Sequence, residues 1–292
     1  ILPVAVATAM FGAGVASAAD FYLTNDATID NQTGGNATTN YIVNNNSTLS
    51  TNSSMTVYYG TIDGVALIND SSRGGTVTIG GNLTMHGNIG ATNATGNFTI
   101  SEWNSLTLAS NVSTFNSDNM TLSDNTVLNF GNVTSGYSRG SSETLTFASN
   151  ITMGSNSTIN VGNGTTLNGN IYGAGTLNVL GNFTSTGSIG AAQVDGADFI
   201  TSKLEQINIS KGNTFTLNNN ATATRMNING TVTVAGNITA AVTMGADGIL
   251  NLNNESGDDN AAKVVGAIQS YVVDTAQGTL NINGTFTTQG AI

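Results

Sequence analysis

One line of sequence occurs three times in this chain, and this repetition constrains the fold more than any other feature. The line reads "GTVTIGGNLTMHGNI" at residues 75–89, "GTLNVLGNFTSTGSI" at residues 175–189 and "GTLNINGTFTTQGAI" at residues 278–292. None of the three copies contains a residue pattern typical of catalysis. The repetition therefore predicts structural units that recur along the chain.

Two further pairs of segments repeat in the same order. Residues 97–111, "NFTISEWNSLTLASN", match residues 206–220, "QINISKGNTFTLNNN", and residues 151–163, "ITMGSNSTINVGN", match "VTMGADGILNLNN" at residues 242–254. The spacing between copies drifts by several residues. Such drift is tolerated where each unit packs only on its neighbours, because an insertion then becomes a loop and leaves the core intact.

Within and between the repeats, apolar residues alternate with Thr, Asn or Ser. Alternation with period two places apolar side chains on one face of a strand and polar side chains on the other. Pairs such as Gly-Asn and Asn-Gly separate the runs and favour sharp turns. The predicted strand centres are 77–79, 106–108, 145–147, 159–161, 177–179, 207–209, 215–217, 226–228, 232–234, 250–252 and 280–282.

These patterns predict an all-β fold, a parallel β-solenoid (β-helix) of short Gly/Asn/Thr-rich strands with coils of roughly twenty residues. A series of tandem β-sandwich domains is the alternative, since a hundred-residue period suits that architecture. Residues 191–206 and 261–274 break the alternation. We expect them to form loops or short helices that decorate the solenoid; a longer strand pair is the alternative at residues 261–274.

Composition excludes several classes of function. Only 8% of the 292 residues are charged, the net charge is -11, and the chain holds six Lys and Arg in total. Binding to nucleic acid requires clustered basic residues, so we expect no nucleic-acid partner. The absence of Cys from the sequence excludes disulfides and thiolate metal sites.

Residues 1–18 resemble an export signal. They are apolar and rich in small residues, and they end in Ala16-Ser17-Ala18, a pattern that signal peptidase accepts. We expect the mature chain to begin at Ala19 or Asp20; a membrane anchor is the alternative. We interpret residues 19–73 as an N-terminal cap with the first coils and residues 74–292 as the repeat-containing solenoid, truncated at its C-terminal end.

The units "GTLNVLGNFTSTGSIGA" and "GTLNINGTFTTQGAI", together with "LEQINISKGNTFTLNNNATA", resemble the passenger regions of bacterial autotransporters. The closest likeness is to the rickettsial surface-layer and surface-antigen autotransporters. This resemblance implies an exported passenger at the outer membrane, the cell surface or outside the cell. It also implies a C-terminal membrane β-barrel, outside residues 1–292, that exports the passenger.

No residue is nominated as catalytic, cofactor-binding or metal-binding, and we expect no enzyme and no cofactor. His86, the single His, is matched by Thr186 and Gln289 in the sister copies, so we interpret it as surface decoration. Residues 254–260, "NESGDDN", offer oxygen ligands for Ca²⁺ but lack the Gly spacing of the known calcium repeats, which favours a solvated acidic loop.

A solenoid enzyme that degrades polysaccharides is a lesser alternative, because it needs paired carboxylates at a defined separation. The acidic residues are too scattered to nominate a pair, and the arginines are isolated. These residues are Asp20, Asp26, Asp30, Asp63, Asp70, Glu102, Asp118, Arg73, Arg139 and Arg225.

Asn-x-Ser/Thr sequons recur along the chain and leave two interpretations open. A heavily N-glycosylated surface-layer, sheath or filament subunit would use them as acceptors. Alternation of Asn and Thr on outward strand positions also generates them, and an Asn after a turn Gly, as at Asn82 and Asn182, suits a ladder between coils. Examples are Asn31, Asn82, Asn97, Asn150, Asn182, Asn229 and Asn283.

The sequence thus predicts a surface passenger for adhesion or surface-layer formation. Its expected partners are glycans or proteins of a host-cell or matrix surface, bound through many weak contacts, or neighbouring copies of itself. The aromatic residues Trp103, Tyr58, Tyr59 and Phe115 are too dispersed for a sugar-stacking platform. We expect them in the core or as caps of coils.

Overall fold

The computed structural model describes residues 20–23, 27–29, 40–43, 48–51, 55–57, 62–64, 75–130, 144–190, 193–195, 198–200, 203–253, 262–270, 278–283, 286–288 and 290–292. Every regular element among them is a β-strand. All strand pairs are parallel except one hairpin. The chain is therefore all-β, and its stacked parallel strands form a β-solenoid, as the sequence predicts.

The strands are short and follow one another closely. The first fifteen are β1 (Asp20–Leu23), β2 (Ala27–Ile29), β3 (Asn40–Val43), β4 (Thr48–Thr51), β5 (Met55–Val57), β6 (Ile62–Gly64), β7 (Thr76–Ile79), β8 (Leu83–Met85), β9 (Thr95–Ile100), β10 (Ser105–Leu108), β11 (Thr114–Leu122), β12 (Val127–Phe130), β13 (Leu145–Met153), β14 (Thr158–Val161) and β15 (Thr165–Leu167). The others are β16 (Ile171–Gly173), β17 (Thr176–Val179), β18 (Phe183–Ser185), β19 (Gln193–Asp195), β20 (Asp198–Ile200), β21 (Leu204–Ile209), β22 (Thr214–Leu217), β23 (Ala221–Ile228), β24 (Thr231–Val234), β25 (Ile238–Met244), β26 (Ile249–Asn253), β27 (Ala262–Val265), β28 (Ile268–Ser270), β29 (Thr279–Asn283) and β30 (Phe286–Thr288).

Strand pairing divides the solenoid into three faces, which the chain visits in a fixed order. The first face consists of β5, β8, β10, β12, β14, β17, β21, the second halves of β23 and β25, and β28. The second face consists of β1, β3, β6, Ile89, the starts of β11 and β13, β15, β18, β22, β24, β26 and β29. The third face consists of β2, β4, β7, β9, the ends of β11 and β13, β16, Ile189, the starts of β23 and β25, β27 and β30.

The three copies of the repeated line begin on three different faces. The copy at residues 75–89 begins with β7 on the third face, the copy at 175–189 begins with β17 on the first face, and the copy at 278–292 begins with β29 on the second face. Between β7 and β17 the chain crosses the third face at β9, β11, β13 and β16. The repeat therefore advances four full turns and one further face.

This advance is constant although the spacing in residues is not. Between β17 and β29 the chain crosses the first face at β21, β23, β25 and β28, which is again four turns and one face. The two other repeated pairs show the same advance from the third face to the first: residues 97–111 match 206–220, and residues 151–163 match 242–254. Insertions thus change the length of a coil without changing the order of faces.

Inward positions of the strands form one continuous apolar column. Of the predicted strand centres, all lie in strands and their apolar side chains are buried, except that Leu280 is partly buried and Ile282 is 48% exposed. Phenylalanines stack between coils at its centre: the ring centroids of Phe115 and Phe147 lie 4.2 Å apart, and those of Phe130 and Phe147 lie 5.1 Å apart. Burial of this column provides the main driving force for stacking the coils.

Hydroxyl groups inside the corners donate hydrogen bonds to carbonyls of the turns. Thr126 Oγ1 donates to the Ser123 carbonyl at 2.9 Å and Ser157 Oγ donates to the Gly154 carbonyl at 2.7 Å. The Oγ atoms of Ser117 and Ser149 lie 2.9 Å apart, where β11 and β13 turn from the second face to the third. These hydroxyls therefore have partners within the protein, whereas the buried Oγ1 of Thr95, a residue that pairs with Ser117 of the next coil, has none among the described residues.

The expectation of loops or short helices at residues 191–206 and 261–274 is wrong for β21, β27 and β28, which continue the solenoid sheets, whereas β19 and β20 form a separate two-stranded sheet. β21 begins at Leu204 and belongs to the first face, and β27 and β28 continue the sheets with Val264 and Ile268 buried. These inward side chains fit the column, so the segment remains a strand despite its irregular pattern. β19 and β20 form an antiparallel hairpin, with Val194 paired to Phe199.

The residues predicted as an export signal, 1–18, lie outside the described residues. Strands β1 to β6 occupy residues 20–64 of the segment interpreted as a cap and first coils. They pair in parallel with one another and, through β4–β7 and β5–β8, with the repeat-containing part. The two parts of the chain therefore share the same sheets.

Candidate functional site

The outward side of the first face carries a ladder of Asn side chains that runs in one direction. Each Nδ2 donates to the Oδ1 of the Asn one coil earlier, and the first Asn donates to Thr107. The donors, in chain order, are Asn129, Asn160, Asn178, Asn208 and Asn227, and the four Asn–Asn bonds are each 2.8 Å long. The ladder satisfies amides that lie only partly exposed and fixes the register of the coils.

The second face carries a row of Thr side chains in register on its outward side. Five successive coils pair Thr146, Thr166, Thr184, Thr216 and Thr233, all partly exposed. Asn251 continues the row by donating to Thr233 Oγ1 at 3.2 Å. This face presents hydroxyl and methyl groups at the spacing of parallel strands, about 4.8 Å.

The corner between the third and first faces holds a stack of similar turns, at residues 101–104, 123–126 and 154–157. The third residue of each turn has a positive φ: Trp103 (65°), Asn125 (58°) and Asn156 (56°). Asn tolerates this backbone region, whereas a bulky residue adopts it at a cost. Trp103 nevertheless occupies it with its side chain 72% exposed.

Contacts within and between these turns hold them in place. The Asn104 side chain donates to the carbonyls of Ser101 and Glu102 at 3.2 and 2.9 Å. Asn125 Nδ2 donates to Glu102 Oε1 at 3.3 Å, and the Ser155 N–H donates to Asp124 Oδ1 at 2.7 Å. The indole of Trp103 is thus displayed from a braced turn that lies beside fixed carboxylates.

The sister copy repeats the turn with different side chains at its tip. Residues 210–213 align with 101–104, so Lys211 stands in place of Glu102 and Gly212, with φ of 78°, in place of Trp103. Asn213 braces this turn as Asn104 braces the other, donating to the Ser210 and Lys211 carbonyls at 3.4 Å. The turn therefore forms without an aromatic residue at its tip.

Lys211 pairs with an acidic residue across coils. Its Nζ lies 2.7 Å from Asp247 Oδ2, and both side chains are largely exposed. The hydrogen bond and the charge of Asp247 raise the pKa of Lys211, against a small opposing effect of desolvation. The two copies of this turn therefore differ in charge: one presents an acid and the other a paired base.

His86 lies at the surface of the solenoid and contacts the next coil. Its Nδ1 lies 3.2 Å from Asn111 Oδ1, and Asn111 Nδ2 donates to the His86 carbonyl. The contact ties one turn to the next. These two hydrogen bonds join His86 to an Asn, and not to an acid, a nucleophile or a second His.

The other candidates from the sequence are dispersed or lie outside the described residues. The candidates outside the described residues are residues 254–260, Asp26, Asp30, Asp70, Arg73 and Arg139. Glu102 is at the Trp103 turn, Asp118 lies at the bend of β11, and Arg225 is exposed on β23. Within the described ranges, no three His, Cys, Asp or Glu side chains come together as a group that could hold a metal ion.

Asn side chains at the corners link the coils in a way that differs from the predicted ladder. The sequence predicts stacked side chains at Asn82 and Asn182; instead, Asn182 Oδ1 accepts the Thr214 backbone N–H at 3.0 Å, and Asn82 Oδ1 accepts from Ser105 Oγ at 2.9 Å. The longest run of amide-to-amide bonds lies at the strand centres of the first face, and a further one joins Asn281 to Asn251 on the second face at 2.8 Å. Of the other named sequons, Asn97, Asn229 and Asn283 are exposed, Asn150 is partly exposed, and Asn31 lies outside the described residues.

The aromatic residues divide between core and surface. Phe115 is fully buried, which confirms the expectation for that residue, whereas the exposure of Trp103 shows that its expected core or capping role is wrong. Tyr58 and Tyr59 lie outside the described residues. Alignment of "SEWN" with "SKGN" already places Trp103 at a position where a Gly suffices, and this signal identifies the turn from sequence.

A helix with the length and hydropathy needed to span a membrane is not found in the part of the chain that the structure describes. Comparison of the chain with protein-family models, with curated proteins and with solved structures found no match.

Proposed function

We propose that the chain is an exported, non-enzymatic passenger of the autotransporter kind, which projects a β-solenoid from a cell surface for adhesion or surface-layer formation. The observation that carries the proposal is the advance of four turns and one face between copies. A repeat that encoded one binding face would advance by whole turns, so that equivalent residues aligned on that face. Here the equivalents are spread over three faces, as expected of residues that build a scaffold.

The surface chemistry supports contact through many weak interactions. The Thr row of the second face and the Asn ladder of the first face offer hydroxyl and amide groups at regular spacing with no charge. Single hydrogen bonds of this kind contribute little net free energy in water. A long array acting together provides useful avidity for glycans, for matrix proteins or for neighbouring copies of the chain.

The localisation is tested by expressing the natural reading frame in its host and treating intact cells with protease, followed by detection with an antibody against the solenoid. We expect removal of the signal from intact cells and its retention in cells that lack the export machinery. Protection of the protein in intact cells would contradict the proposal.

The mode of action is tested with the purified chain. We expect saturable binding to host cells or matrix-coated surfaces, or ordered assembly of the chain with itself, and no release of reducing ends from polysaccharides. Hexose mass on peptides that contain Asn82 or Asn182 would favour the glycosylated surface-layer or filament subunit instead.

A further inference from the structure

We propose that the turn at residues 101–104 is a docking point for a cationic segment of a partner protein, with Trp103 stacking on an Arg or Lys side chain. The inference rests on the proposed surface function and names the kind of partner for one place on the scaffold. It starts from the exposure of Trp103, which is the only Trp of the chain and is 72% exposed at the tip of a corner turn.

The fold does not need an aromatic residue at this position. The equivalent positions in the stacked turns are Asn125 and Asn156, and the aligned residue in the sister copy is Gly212, whose Cβ position has nothing within 4 Å. Each of these alternatives adopts a positive φ more easily than Trp does. A bulky apolar side chain that is neither buried nor suited to its backbone conformation is typical of a recognition residue.

The surroundings of Trp103 favour a positively charged occupant. Glu102 precedes it in the same turn, and Asp124 occupies the corresponding position of the next turn. The described residues in 75–130 and 144–190 contain Glu102, Asp118 and Asp124 but no Lys or Arg. The whole chain has a net charge of -11, so long-range attraction acts in the same sense.

The chemistry of the turn fits a guanidinium or ammonium group. A cation is attracted to the face of an indole, and the attraction is strongest for Trp among the aromatic residues. Glu102, the neighbour of Trp103 in the turn, is held by Asn125 Nδ2 at 3.3 Å, and its carboxylate can accept hydrogen bonds from Arg. An anionic glycan is disfavoured by the same carboxylates. A neutral saccharide lacks the attraction that the charge distribution provides.

Trp103 itself reports on the site, because selective excitation of the single Trp observes only this turn. The experiment titrates the purified chain with a ten-residue peptide of alternating Arg and Gly, and in parallel with a peptide of alternating Glu and Gly and with a neutral chito-oligosaccharide. We expect a saturable change of emission with the Arg peptide alone, weakened by added salt.

Variants taken from the sister turn test the assignment without relying on fluorescence. Trp103→Gly and Glu102→Lys each introduce the amino acid found at the aligned position of the sister turn, residues 210–213. We therefore expect both variants to fold with an unchanged circular dichroism spectrum. By calorimetry, Trp103→Gly should weaken binding of the Arg peptide by about fivefold or more. Glu205→Lys makes the same change in net charge as Glu102→Lys at an exposed position on β21, and it should retain most of the binding.

Three results would overturn the inference: equal affinity of wild type and Trp103→Gly, an emission change with the oligosaccharide alone, or no saturable change with the Arg peptide. An equal loss in Glu205→Lys and Glu102→Lys would also count against it, as attraction to the overall charge. Failure here is separable from failure of the surface function. If the Arg peptide binds wild type and Trp103→Gly equally while both adhere to cells, the docking point is refuted and the passenger role stands.

Discussion

The Nδ2 of Asn178 donates to the Oδ1 of Asn160 at 2.8 Å, and the two amides belong to consecutive coils on the first face. Asn178 also accepts from Asn208 at the same distance, so its side chain takes part in two bonds of the ladder. All bonds run from the later coil to the earlier one, an arrangement in which each amide polarises the next. The ladder therefore couples coils that the core already stacks.

Replacement of Asn178 tests this coupling. Asn178→Ala removes two hydrogen bonds and leaves the amides of Asn160 and Asn208 each without one partner, so we expect the free energy of unfolding to fall by about 1–3 kcal/mol. Urea denaturation followed by circular dichroism measures the change. Asn218→Ala, at an exposed position in the turn after β22, is the matched control and should have little effect. Equal effects of the two variants would show that the ladder adds no stability.

The stack of Phe115, Phe147 and Phe130 gives a second test, in the core. Phe147 lies between the other two, with centroid distances of 4.2 and 5.1 Å. Phe147→Ala should therefore lower the free energy of unfolding by about 3–5 kcal/mol, and Phe147→Leu by less, because it leaves a smaller cavity. A loss below about 1 kcal/mol for Phe147→Ala would mean that the coils repack freely around the missing ring.

Period-two alternation predicted the strand centres named in the sequence analysis, because the parallel sheets of a solenoid bury one side of most strands, but it missed β27 and β28. Val77 and Ile79, or Leu250 and Leu252, read directly as inward positions and are buried. The alternation could not show that in two coils a single residue, Ile89 or Ile189, forms the only bridge to the neighbouring coils on one face. One inward residue has no periodicity, so the third strand of a short coil gives no signal in sequence.

The site was less predictable for a physical reason. Whether Trp103 lies inside or outside depends on the backbone of one turn, and apolar character alone favours the core. Its positive φ places it at the tip of the turn. Comparison with Gly212 in the sister copy contains the missing information, because a position that accepts Gly in the same turn has no core to fill.

The Lys211–Asp247 pair leads to a prediction about pH. The pKa of Lys211 is raised in the folded protein, so the pair stabilises the fold at pH values below the ordinary Lys pKa and this contribution is lost as pH rises through the folded pKa. Both side chains are exposed, so the contribution is small. We expect Lys211→Met to leave the melting temperature almost unchanged at pH 7 and any difference from wild type to be lost as pH rises through the raised pKa of Lys211. A difference that grows with pH would contradict the assignment.

Two glycines with similar backbone angles separate the effect of conformation from the effect of packing. At Gly190 (φ 67°) an added Cβ would overlap the Thr222 carbonyl oxygen, whereas at Gly212 (φ 78°) nothing lies within 4 Å of the position a Cβ would occupy. Gly212→Ala should cost only the conformational penalty, about 1–2 kcal/mol. Gly190→Ala must also displace the backbone of the next coil, so we expect a loss of about 3 kcal/mol or more.

Gly212→Asn is the control for this comparison, because Asn125 and Asn156 have a positive φ in the turns that stack on residues 101–104. It should be nearly neutral in the same urea titration, since Asn tolerates the left-handed region better than Ala does. Similar losses for Gly190→Ala and Gly212→Ala would show that coils separate easily at the corner beside Ile189. The order Gly212→Asn, Gly212→Ala, Gly190→Ala in increasing destabilisation would instead show that close stacking of coils, and not the turn conformation alone, requires glycine at position 190.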